Sequence, residues 1–133
     1  MPEVIPLLVV DAANVVGSVP DGWWRDRAGA TARLRDRLAE TVVAGGRPAE
    51  SLLAGGEVVL VVEGRARHVP GVPGVRVLAA SGLGDDAIVA LVTAEGPARE
   101  CVVVTADRRL RERVRAVGAR VAGPGTLRRE LGQ

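Results

Sequence analysis

A chain of 133 residues can bury one hydrophobic core and is too short for two, so residues 1–133 are expected to form a single domain. Its apolar fraction is 47%, yet Phe and Tyr are absent and Trp23 and Trp24 are the only aromatics. The core must therefore be Val, Leu and Ala, a composition that suits a β-branched parallel sheet under Ala/Leu helices. All 18 basic residues are Arg against 16 acids, and a net charge of +2 argues only weakly for a polyanionic partner, although Arg suits bidentate phosphate contact. The lone Cys101 excludes a disulfide framework and a four-ligand zinc site. The opening MPEVIPLLVV lacks a positively charged leader and no apolar run is long enough to span a bilayer, so a soluble cytoplasmic protein is expected.

In chain order, Val4 to Gly17 (VIPLLVVDAANVVG) reads as a buried strand that ends on Asp11, followed by a small-residue turn carrying Asn14. A turn at Pro20 to Gly22 leads into an amphipathic helix from about Trp23 to Ala44, with Ala30, Leu34, Leu38 and Val42 inward. Arg25, Asp26, Arg33, Arg35, Asp36 and Arg37 form its solvated face, and the tryptophans read as staples of the helix to the sheet rather than as stacking platforms. Gly45-Gly46 ends the helix. EVVLVVEG, Glu57 to Gly64, is a second buried strand with Glu63 at its end. The Pro/Gly/Arg-rich RARHVPGVPG is a loop that brings Arg65, Arg67 and His68 to the sheet edge; His68 has no neighbouring His or Cys with which to form a ligand set.

VRVLAA from Val75 is short, as an edge strand is. SGLGDDAIVALVTAE opens a helix on Asp85-Asp86 with Ile88, Leu91 and Val92 as its buried stripe. CVVVTAD is a fourth buried strand, leading through Asp107 into a helix with Leu110, Val114 and Val117 inside and Gly118 as its stop. ARVAG makes a last strand, and Pro124 to Leu131 a terminal helix with Pro near its first position. Strands alternate with helices throughout, which makes the class α/β with a mainly parallel sheet.

Asp11, Glu63 and Asp107 follow strands and Asp85-Asp86 starts a helix, so in an open parallel sheet all converge on the carboxyl edge, where such folds bind ligands. Taken singly, Asp85, Asp86 and Asp107 read equally well as helix caps and Glu63 as a solvated loop residue. Together they repel one another and raise one another's pKa unless a cation compensates, and Mg²⁺ or Mn²⁺ suits such an all-oxygen set. The chemistry that follows is metal-assisted hydrolysis of a phosphodiester. Arg108, Arg109, Arg111, Arg113 and Arg115 follow Asp107 on one helix, with Arg108 and Arg109 beside the acids as phosphate contacts. No P-loop is present, and the turn after the first strand lacks the glycines of a dinucleotide site.

DAANVVG after the first strand, an acid after VVLVV, GDDAIV opening a helix and VVVTADRRL at the fourth strand resemble, in order and spacing from about Val4 to Leu131, the NYN branch of the PIN-like nucleases, most closely its YacP-like members. The resemblance implies a three-layer α/β/α sandwich with strand order 3-2-1-4-5, divalent-metal-dependent endonuclease activity, and RNA as substrate. By position, Asp11, Asp85 and Asp107 match metal ligands, with Asp86 as second acid, Asn14 organising the first turn and Thr105 preceding the fourth-strand ligand. Glu63 stands where the family commonly has Asp, which keeps the charge on a longer arm, and Ala12 where it more often has Gly.

The expected function is a divalent-metal-dependent endoribonuclease. Catalysis falls to Asp11, Asp85, Asp107 and Asp86, the metal to Asp11, Asp85, Asp107 and Glu63, and the RNA phosphates to Arg108, Arg109, Arg65 and Arg67. The competing readings are a non-catalytic RNA- or ribosome-binding module of the same architecture, against which the acid set counts, and a metal-dependent phosphohydrolase of small molecules. The sequence leaves a homodimer open.

Overall fold

A computed structural model describes residues 4–133; residues 1–3, part of the opening MPEVIPLLVV, lie outside it. Five parallel strands, β1 (Leu7–Asp11), β2 (Glu57–Val62), β3 (Arg76–Ala79), β4 (Cys101–Val104) and β5 (Arg120–Ala122), lie in the order β3-β2-β1-β4-β5. β1 is central and wholly buried, and β3 takes the edge, as its short exposed pattern requires. The helices are α1 (Ala12–Gly17), α2 (Arg27–Ala44), α3 (Gly84–Glu95), α4 (Arg108–Ala116) and α5 (Pro124–Glu130).

The two-residue period of the strands sorts the core into two layers. Leu8, Val10, Val58, Leu60, Val62 and Val104 point to one face and meet Val15 of α1, Leu34 and Leu38 of α2, and Leu127 of α5. Leu7, Val9, Val59, Val61, Cys101 and Val103 point to the other and meet Ile88 and Val92 of α3 and Leu110 and Val114 of α4. The result is the three-layer α/β/α sandwich. Among the described residues no helix is long and apolar enough to cross a membrane.

The structure corrects the expected elements in three places. After Asp11, AANVVG is a six-residue helix rather than a turn, because Val15 and Val16 bury against the sheet and the chain must wind immediately to place both. The helix expected from Trp23 to Ala44 is broken: Trp23–Arg25 form a single 3-10 turn, and Asp26, with φ near −151°, caps a new helix by accepting a hydrogen bond from the Gly29 N–H at 2.9 Å. Val117, expected inside, is 38% exposed, since α4 ends at Ala116 and Gly118 turns the chain away with φ of 93°.

Candidate active site

Register fixes which side chains meet at the carboxyl edge. Asp11 pairs with Val61 of β2 and is one residue beyond the Val10–Val104 pair, which puts it beside Thr105. The Thr105 Oγ1–H donates to Asp11 Oδ2 at 2.9 Å, and the same oxygen accepts from the Asp107 N–H at 3.1 Å. Thr105 has no exposed surface; its N–H donates to the Ala122 carbonyl and its own carbonyl accepts from Arg111 Nε at 2.7 Å. One buried hydroxyl thus couples the first-strand acid to the fourth-strand acid, and every polar group it owns is satisfied.

Asp107 caps α4 through Leu110 N–H at 3.0 Å, so the cap reading holds for it, and the cap leaves its second oxygen available. Asp85 and Asp86 are different: Leu83 holds the cap position and both acids stand in the first turn of α3, favoured there by the helix dipole but capping nothing. Asp86 pairs with Arg113 of α4 at 2.9 Å, an exposed contact that orients more than it stabilises. Glu63 accepts a hydrogen bond from the Gly84 N–H, tying the end of β2 to the start of α3. A Cβ at position 84 would lie 2.9 Å from Glu63 Oε2, so a side chain there would push the Glu63 carboxylate aside. Asn14 reaches from α1 to accept from the Ala106 N–H at 2.8 Å, which pins the loop that delivers Asp107.

The electrostatics mark the acids as neighbours. Burial pushes the Asp11 carboxyl up from 3.8 to about 6, and Asp85 and Glu63 add to the rise. The Thr105 hydroxyl opposes it, as does the Asn14 backbone N–H, which falls short of a formed cap hydrogen bond. Asp85 is also raised, first by burial, then by Asp107 and Glu63, against a downward pull from Arg113. Among the described residues no three His, Cys, Asp or Glu side chains stand as a preassembled ligand group, and Asp11, Glu63, Asp86 and Asp107 each accept a hydrogen bond from a protein donor. The donor set is nonetheless all carboxylate oxygen and short of positive charge, which fits a hard divalent cation.

The arrangement belongs to a known architecture. Over 95% of its length the chain matches the crystal structure of Rae1 (YacP) from Bacillus subtilis, with a TM-score of 0.74, 21% identity and 73% of that chain covered. A mutant of the same protein gives 0.69 at 21% identity over 96% of this chain and 76% of the other. This chain has the YacP fold. Neither a family model nor a curated protein matches the sequence.

Within the YacP fold, the sequence-derived site separates into parts. Asp11, Glu63 and Asp85 interact with one another, Asp85 also with Asp107 and Asp86, and Thr105 and Asn14 support them. Arg108 and Arg109 are exposed on the first turn of α4, and Arg65 and Arg67 are exposed in the turn after Glu63. Arg111 and Arg113, read only as members of a basic run, have separate tasks at Thr105 and Asp86. The spacing carried a signal for Arg111: it lies one turn after Asp107, and a helical side chain reaches back over the preceding turn. The staple reading holds for Trp23, which packs on the core, whereas Trp24 is 51% exposed.

Proposed function

We propose that this protein is a divalent-metal-dependent endoribonuclease of the NYN branch of the PIN-like nucleases. The observation that carries the reading is Asp11: a carboxylate 7% exposed, lifted to about 6, and crowded by acids from other elements, is a costly arrangement of the kind found at active sites. The YacP fold and the order of the sequence motifs support it.

Asp11, Asp85 and Asp107 would hold Mg²⁺ or Mn²⁺, with Glu63 and Asp86 completing or positioning the set. A bound cation of this kind supplies an activated water and neutralises charge developing on the phosphodiester. Thr105 keeps the Asp11 carboxylate oriented and Asn14 keeps the Asp107 loop in place. Arg108 and Arg109, with Arg65 and Arg67, would bind the phosphates on either side of the scissile bond.

Asp11→Asn and Asp107→Asn should each abolish Mn²⁺-dependent cleavage of single-stranded or structured RNA while the circular dichroism spectrum is unchanged. Asn still caps a helix, so loss of activity at position 107 reports the charge rather than a frayed α4. Cleavage at the wild-type rate in either purified variant would refute the reading. The engagement of Asp11, Glu63, Asp86 and Asp107 by protein donors favours, as runner-up, a non-catalytic RNA- or ribosome-binding module; RNA binding that persists in EDTA, with no cleavage in Mn²⁺, decides for it. Turnover of free nucleotides with RNA untouched would instead mark a small-molecule phosphohydrolase.

A further inference from the structure

Beside the carboxylates the surface sinks into a cleft of about 330 Å³, within the range of small-ligand sites. Its lining includes Ala12 and Ala13 of α1, Trp23 and Arg27 around the start of α2, and Glu63 and Leu83 from the loops before and after β3. Three of these adjoin or belong to the acid cluster: Ala12 follows Asp11, Leu83 caps the helix of Asp85, and Glu63 is itself one of the acids. Glu63 is thus shared by the cleft and the acid cluster, and the cleft adjoins the site through it.

The lining selects the occupant. A phosphate is disfavoured, because a single Arg is opposed by the Glu63 carboxylate. The alanines and the indole offer apolar faces, and the Arg27 guanidinium lies over the Trp23 ring, its carbon 5.4 Å from the ring centroid. A planar cation on an aromatic ring is a platform for another flat π-system, and unpaired bases stack on both aromatic rings and Arg planes. The Glu63 oxygen that the Gly84 N–H does not engage, an acceptor only, can meet an N–H on a base edge.

We propose that this cleft seats a nucleobase of the RNA strand, stacked against the Trp23–Arg27 pair, while the adjoining phosphate lies at the carboxylates; the inference rests on the nuclease reading above. A base in the cleft sets the register of cleavage. It also restricts the substrate to nucleotides free to leave a helix, since a stacked and paired base cannot enter.

The test uses Trp24→Phe, which leaves Trp23 as the sole tryptophan. Nucleoside 5′-monophosphates in EDTA are expected to quench its fluorescence saturably, and ribose 5-phosphate to leave it unchanged. Ala13→Leu fills the cleft from an exposed position of α1, avoiding the damage to core packing that Trp23→Ala risks. It should weaken the quenching, and raise KM for a single-stranded oligoribonucleotide with kcat less affected, each by about tenfold, the scale of one stacked base. Equal quenching by ribose 5-phosphate, or quenching and KM unchanged in folded Ala13→Leu, overturns the subsite even if RNA is cleaved. Base-dependent quenching without any cleavage upholds the base site and removes the nuclease reading.

Discussion

Asp11 is the residue at which stability and chemistry pull apart. Its carboxyl is raised from 3.8 to about 6, so well below pH 3.8 it is protonated in folded and unfolded chains alike and costs nothing. Between pH 4 and 6 the unfolded chain releases a proton that the folded one retains, and stability falls as pH rises through this window, by about 3 kcal/mol in all. Asp11→Asn removes that slope. Denaturant titrations in EDTA at pH 4, 6 and 8 should show the variant gaining on wild type as pH rises; parallel stability curves would show that the charge is not strained. Thr105 carries the opposite sign. Thr105→Val keeps the shape but strands the Asp107 N–H and removes the donor to Asp11, which should cost about 1–3 kcal/mol and push the Asp11 titration, followed by carboxyl NMR, above 6. Thr105→Ser, which keeps the hydroxyl, should recover most of both.

At the scale of elements, the site is built from ends. β1 and β2 deliver Asp11 and Glu63, α3 and α4 begin on Asp85 and behind Asp107, and α1 carries Asn14 across to the fourth-strand loop. The contact between Glu63 and the Gly84 N–H joins two of these ends, and a Cβ at position 84 would press on the Glu63 carboxylate. Gly84→Ala should therefore displace Glu63 or the first turn of α3 and lower Mn²⁺-dependent cleavage at least tenfold, although a helix interior ordinarily favours Ala over Gly. A Gly84→Ala protein with wild-type activity would show that the Glu63–α3 link is not needed. The boundaries hardest to read were those set by caps. Asp26 and Asp107 both cap helices; the local pattern left Asp26 on the solvated face of one continuous helix and left Asp107 readable equally as cap or as site acid.

For the whole molecule, a net charge of +2 spread over 18 arginines and 16 acids means that the proposed RNA binding depends on where the arginines stand. Several are committed inside the fold: Arg111 to the Thr105 carbonyl, Arg128 to the Val15 carbonyl, Arg37 to the Leu131 carbonyl. Arg108, Arg109, Arg65 and Arg67 remain exposed at the carboxyl edge. Replacing Arg108 and Arg109 together by Gln should reduce the salt dependence of single-stranded RNA binding by about 0.7 in log–log slope for each phosphate the pair neutralises. An unaltered slope would assign the phosphates to other arginines.

The fold class and the whole strand sequence were legible because burial on both faces of a parallel sheet forces continuous Val/Leu runs, and amphipathic helices between them admit little else. The acids that end those runs were legible for the same reason: a charge after an apolar strand has to leave the core at the carboxyl edge. What the residues alone did not decide was which groups each acid would face. That depended on register, which sets Asp11 against Thr105, on the approach of Gly84 to Glu63, and on the cleft that joins Trp23 and Arg27 to the site. These contacts span 21 to 94 positions in sequence for the acids, and no local periodicity records them. Only the packing of the two helical layers on the sheet brings them together.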